Sequence, residues 1–579
     1  MCKRYPRLSA VALWGLTWSA CGDRVLPRPA EPAQKPAELP PDAKGRLDLY
    51  VREDLDAELA YSPTLATWLG MHGYDDRIDD VRAEAQVREA LRCKGVLEHT
   101  RALDDRELDA LRRLDKQLLE RRCQHTLLEL TELRPLERNP LAYVDLAQSA
   151  VAELVAEDQV PLPDRARALT ARLWKIRPLL DEARRNLRST APELAVRKAV
   201  ELAQSARSFL VETLPKAVQL SDPKLMDDFR AANGDASRAL DDFAGWLQKD
   251  LQPRARGEFA LGRDRFMERL RLSEALDPEV TAEQLLALGE RELKESRRRY
   301  DDAVKQLQVG KPAVDVSKLI EDDHGKPDDL QREAQAAVEA MVAWVRNNKL
   351  VTLPNPERPR VVDMPPAQWG FAQLSIAGPL DRPRDAYLYI DPIDKSWPDR
   401  RKQEHLKAFN RSVMALTLMH EVLGHFLQQE RDRRAPTTMQ KIALAGTLVE
   451  GWPHYVERMM VEQGYGGGDP KLRIAVERSV LLRAGRLVAA VKLHAFGAKL
   501  DDVTKLLIDE ALLEDYQARR EAERAALEPM VLVDTLGRLQ IEKLRDDWRA
   551  ANAGAPLGAF HDALLGHGSI PVATIAKLR

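Results

Sequence analysis

Cysteine is scarce in this 579-residue chain: there are four, two of which, Cys2 and Cys21, fall within the first 21 residues. The other two, Cys93 and Cys123, are too few to staple a fold of this length, so a disulfide-dependent scaffold is excluded. In an oxidising compartment they could pair, and two buried thiols fit the count equally well. Aromatic residues make up only 5%, and the 89 Lys and Arg are balanced by 92 Asp and Glu with no basic stripe interleaved with aromatics. That excludes the electrostatic footprint of a nucleic-acid partner. Beyond the N-terminal stretch no apolar run is long enough to span a bilayer. What is present, 44% hydrophobic and 31% charged residues, is the composition of a soluble globular protein. At this length it calls for one large bilobed unit or two to three packed domains.

Residues 1–21, MCKRYPRLSAVALWGLTWSAC, combine a basic start, a short apolar core and small residues before Cys21. The pattern predicts a secretion signal, and Ser19-Ala20-Cys21 predicts lipoprotein cleavage with Cys21 as the lipidated N-terminus; the alternatives are a plain cleaved signal and an uncleaved anchor. The expected location is therefore the periplasm or the outer membrane of a bacterium, with membrane contact only through that lipid. A Pro/Ala-rich stretch over 22–45 reads as a tether.

The rest is mainly α. From Leu47 to about Gly310 apolar residues recur at spacings of three and four, punctuated near Pro161 to Pro163, Pro192, Pro223 and Pro278. Short β-branched and alternating segments from Leu350 to Pro392 predict a small β insert, in which Tyr387, Tyr389 and Ile390 form a packed hairpin or a substrate-binding edge strand. Helices resume near Arg400, broken at Gly464 to Pro470. The expected division is an N-terminal helical lobe over 46–345 and a catalytic lobe over 346–579.

The stretch LMHEVLGHFLQQE, Leu418 to Glu430, departs by one residue from the zinc-binding pattern H-E-x-x-H. Residues four apart on a helix differ in direction by about 40°, and residues five apart by about 140°, so a regular helix cannot aim His420 and His425 at one ion. A π-bulge absorbs one extra residue, and Gly424 eases the backbone there. A catalytic zinc site takes three protein ligands and keeps an open position. Glu450, in GTLVEGWPHYVERMM with His454 and Glu457 behind it at spacings of four and seven, is the expected third ligand. Thr447 to Glu450 also reads as a capping box that would use the same carboxylate, and Pro453 would kink a helix running through it. Zinc in such a site would lower the pKa of a water and polarise a scissile carbonyl. Glu421 would act as general base, and His454, Tyr465, His494 and His561 are candidates to steady the oxyanion. Arg483, Arg486 and Arg545 are candidate clamps for a substrate carboxylate.

These motifs together resemble the bacterial DUF885 family of helical, zinc-peptidase-like proteins often made as lipoproteins. The likeness runs through ATWLGMHGYDDRIDD (Ala66 to Asp80), HEVLGHFLQ (His420 to Gln428), EGWPHY (Glu450 to Tyr455), LGRLQIEKLR (Leu536 to Arg545) and FHDALLGHGSIPV (Phe560 to Val572). The resemblance implies His420, His425 and Glu450 as metal ligands and Glu421 as base. The shorter H-E-x-x-G-H is similar to that of dipeptidyl peptidase III, which holds zinc. Pro453, Asp534 and Ala490 stand where the family pattern has alanine, tyrosine and aspartate. The expectation is a peptidase with one zinc per chain acting on peptides. The alternatives are a catalytically silent helical lipoprotein that binds peptides or an envelope partner, and a metallohydrolase of a non-peptide amide or ester.

Overall fold

The computed structural model describes residues 40–156, 160–307, 313–365 and 371–578; the expected signal, Cys21 and all but the end of the tether lie outside them. The fold is mainly helical with one small sheet, and among the described residues no helix is long and apolar enough to cross a membrane. The chain divides at Gly257/Glu258 into two compact units.

In the first unit the expected breaks coincide with helix starts. Pro161 and Pro192 flank the starts of Leu162–Asn186 and Glu193–Ser208. Pro223 is the first residue of Pro223–Trp246, whose free N–H groups are capped by the Asp222 carboxylate. Cys93 and Cys123 are free and buried, on the paired helices Ala83–Arg101 and Ala110–Leu128. The motif at Ala66 to Asp80 serves the fold of this unit. Buried Asp79 accepts hydrogen bonds from Ser62 Oγ at 2.9 Å and from Thr64 N and Oγ1 at 2.8 Å. Arg172, with no exposed surface, bonds Thr67 of the same segment.

The second unit begins well before the expected boundary at 345/346. The reason lies in packing: helix Ala282–Leu307 runs along Pro470–Phe496, so close that Gly289 has no room for a Cβ, which would lie 2.3 Å from Leu487 Cδ2. Helix Leu330–Asn347 packs on the first strand of the sheet and on helix Arg411–Leu418. Both helices bury their apolar faces within this unit, which draws the boundary upstream.

The β insert forms three strands, β1 (Arg360–Asp363), β2 (Ala372–Ser375) and β3 (Tyr387–Ile390), in the order β1-β3-β2. β3 runs parallel to β1 and antiparallel to β2, with Tyr389 opposite Val362 and Gln373. Tyr389 therefore sits on the central strand, 5% exposed, and not on an edge open to substrate. Two partners saturate both sides of the β3 backbone, which excludes strand addition there. β2 packs beside the histidine-bearing turn.

Candidate metal centre

The turn that carries both histidines is a π-helix, Met419–Phe426, between the regular helices Arg411–Leu418 and Leu427–Asp432. Its hydrogen bonds span five residues, which brings residues five apart to one side. The rings of His420 and His425 lie 4.8 Å apart between centroids, at 85° to each other. Widening the turn displaces a carbonyl. The Leu427 N–H donates to the oxygens of Val422 and Gly424 and so passes over Leu423, its partner in a regular helix. Trp452 takes up that carbonyl: its indole Nε1–H donates to Leu423 O at 3.0 Å, with 1% of the residue exposed. The tryptophan of the second motif thus completes the backbone of the first.

Glu450 sits at a break between helices Gly446–Val449 and Gly451–Glu462. The expected capping box is absent. Thr447 lies inside the first of these helices with its hydroxyl accepting from Val572 N at 3.4 Å, and the Glu450 side chain makes no capping bond. The break also removes the expected kink, because Pro453 falls in the first turn of the new helix, where the missing N–H would be unpaired anyway. Gly451 crosses Gly537 of helix Val533–Ala551 with backbones nearly touching, a Cβ on Gly451 coming 2.7 Å from Gly537 Cα.

Relieved of capping, Glu450 meets the imidazoles. One ligand atom each from His420, His425 and Glu450 lie within 4.8 Å of one another, and no other such group occurs among the described residues. The donors suit a divalent cation. His425 Nδ1 is buried without a hydrogen-bond partner, and burial, aided by His420, pushes its pKa down. The ring is thereby kept neutral, as a ligand must be. Two imidazoles and a carboxylate form a three-ligand set of the kind zinc accepts with one position open.

Glu457 is the residue whose importance sequence spacing showed only as a position. Its Oε1 accepts from His420 Nδ1 at 2.8 Å, which leaves Nε2 as the nitrogen free to bind. Its Oε2 accepts from Ser479 Oγ at 3.0 Å and Arg483 at 2.8 Å. Burial opposes its charge, but the Arg483 guanidinium and the His420 and His454 imidazoles hold the carboxyl well below the ordinary range. Glu421, beside the first ligand, moves the other way: burial raises its pKa, Glu450 and Glu457 add to the rise, and His425 opposes it.

The other expected residues divide into supports and absentees. His454 is fully buried, its Nδ1 3.3 Å from Arg483 and 3.5 Å from Glu457, and burial with Arg483 pushes its pKa down to about 3. Arg483 is no clamp: Glu457, Ser479 and, at 3.4 Å, Asp534 occupy it. Asp534 is part of this network. Arg486 is held by both oxygens of Glu521 at 2.7 and 2.9 Å. Arg545 pairs with Glu462 at 2.9 Å and lies over the Tyr455 ring. His561 donates to Leu350 O at 2.6 Å, accepts from Tyr455 OH at 2.9 Å and packs edge-on to Trp452. Tyr465 packs on Trp344, and His494 stacks on Phe266 and donates to Ala525 O at 2.8 Å. The structure does not join either to the cluster.

A largely helical chain with two histidines on a π-turn and a glutamate at a later helix break defines a class of protein with a preformed candidate metal centre. The chain belongs to the DUF885 family, described as bacterial protein of unknown function, whose sequence profile matches residues 63–578. Two solved structures share the fold. One is a candidate lipoprotein of unknown function from Shewanella oneidensis, with TM-score 0.74 and 22% identity, the match covering 92% of this chain and 99% of that one. The other is a candidate lipoprotein from Colwellia psychrerythraea, with TM-score 0.74 and 16% identity, covering 93% and 98%. No curated protein matches the chain.

Proposed function

We propose that the protein is a zinc-dependent peptidase, with one zinc per chain held by His420, His425 and Glu450. The convergence of these three ligand atoms within 4.8 Å carries the proposal. Zinc bound there supplies Lewis acidity, which polarises a scissile carbonyl and makes a water acidic near neutral pH. Glu421 takes the proton of the attacking water and returns it to the leaving amine, a task that its raised pKa suits. Glu457 fixes the ring of His420, and Arg483 with Ser479 fixes Glu457. The signal-like start of the sequence, together with two solved relatives described as candidate lipoproteins, supports export with Cys21 lipidated.

The test uses untagged protein. About one zinc per chain is expected, and Glu421→Gln retains it while cleavage in a peptide-library digest disappears. Zinc with no cleavage by the wild type would overturn the peptidase proposal. It would leave either a silent helical scaffold or a hydrolase of a non-peptide amide or ester, which an ester and amide panel separates.

A further inference from the structure

Helix Gly446–Val449, which delivers Glu450, is a single turn and cannot cap itself. Its N-cap residue is Ala445, with no side-chain acceptor, yet the first N–H groups of any helix lack intrahelical partners. The chain enters it through Leu444, which has a left-handed φ of 49°, and Ala445 N is tied to Ser569 O at 2.8 Å. The missing acceptor comes from far upstream in the sequence. The Glu274 carboxylate accepts from Gly446 N at 3.2 Å and Thr447 N at 2.8 Å, one oxygen to each. Glu274 is 4% exposed and ends its own helix, Arg263–Glu274. A negative charge in the last turn opposes that helix's dipole, so the stability of its own helix does not account for its position. The two bonds to helix Gly446–Val449 do: there the carboxylate faces a helix N-terminus, whose N–H groups favour its charge against the burial that raises its pKa.

We propose that Glu274 is a positioning residue for Glu450, holding the one-turn helix so that its last step presents the third carboxylate to His420 and His425. This rests on the metal-centre reading above. Removing the two bonds frees the helix start to fray and lets Glu450 drift from the imidazoles. The consequence is a loss of zinc affinity that passes through Glu450 and nowhere else.

The experiment is a double-mutant cycle on the full chain, with Zn2+ itself as the probe in competition with a chromogenic chelator. Glu274→Gln is expected to raise the zinc dissociation constant about tenfold, in the range seen when outer supports of a metal ligand are removed. Glu450→Ala raises it further, and adding Glu274→Gln to Glu450→Ala leaves affinity unchanged, although the thermal midpoint of the metal-free protein falls in both backgrounds. Should Glu274→Gln fail to fold, Glu274→Asp, which keeps the charge and shortens the reach, takes its place in the cycle. Wild-type affinity in the Glu274 variant, or additive losses in the double variant, would overturn the inference while leaving the metal centre intact. A wild-type chain that binds no zinc would overturn both.

Discussion

Gly424 and Pro453 are in direct contact across the two motifs: a Cβ built on Gly424 would lie 2.6 Å from Pro453 Cβ and 2.8 Å from its Cα. The glycine that eases the widened turn and Pro453 therefore form one seam, joining the histidine-bearing π-helix to the helix in which Pro453 lies, just after Glu450.

The seam predicts the outcome of Gly424→Ala. Helix propensity alone favours alanine by about 1 kcal/mol. The added methyl, however, meets a ring carbon and a backbone carbon that cannot rotate away, and such overpacking costs about 1–3 kcal/mol. The clash should win. Gly424→Ala should lower the thermal midpoint and weaken zinc binding together, because the same displacement that relieves the overlap moves His420 and His425 away from Glu450. A variant more stable than the wild type would refute the argument.

Trp452→Phe keeps a six-membered aromatic ring and loses the pyrrole half of the indole together with the N–H that satisfies Leu423 O. A buried carbonyl left without a donor costs about 1–3 kcal/mol. Urea unfolding should show that loss as a lower midpoint with unchanged slope. If the π-turn needs this bond, zinc affinity falls as well. A variant that unfolds at the wild-type midpoint would mean that the widened turn sustains itself.

Much of this centre was legible in the sequence, because its logic is local. Five-residue spacing with Gly424 between the histidines demanded a widened turn, and Glu450 followed at a distance that a short connection can fold back. What was not legible depends on partners remote in sequence. Thr447 to Glu450 spells a capping box, but Val572 takes the hydroxyl and Glu274 supplies the acceptor, which leaves Glu450 free. Arg483, Arg486 and Arg545 looked like clamps because the sequence does not show which remote acids reach them; Arg545 also pairs with Asp546 of its own helix at 3.0 Å. Asp534, Glu521 and Glu462, on other helices, neutralise them. β3 was legible as a strand, but its central place depends on β1 joining in parallel, and no local pattern encodes that pairing.

Glu457→Gln tests the support of His420. The amide can still accept a hydrogen bond, but it removes the charge that Arg483 and His420 share. Zinc affinity should fall about 10- to 100-fold. The expected signature is a change in metal affinity larger than the change in stability per bond lost, read by chelator competition beside thermal unfolding. Equal zinc affinity in variant and wild type would show that His420 is oriented by packing alone.

His494 and His561 give the fold an acid limit. Both are fully buried, and burial pushes each pKa from the ordinary 6.5 down to about 4, opposed by the bond to Ala525 O in one and to Leu350 O in the other. A folded pKa below the unfolded one means that between about pH 6.5 and pH 4 the unfolded chain binds more protons. Stability is therefore fully present above pH 6.5 and drains as pH falls through that window. At about 1.4 kcal/mol per unit, each residue withdraws on the order of 3 kcal/mol by pH 4. Urea midpoints measured from pH 7.5 to 4.5 should decline, and His494→Gln, which packs less well on Phe266 and starts lower at neutral pH, should decline less steeply because one titrating group is gone. Parallel slopes for variant and wild type would show that His494 does not titrate between the two states, and the acid limit would then belong to other groups.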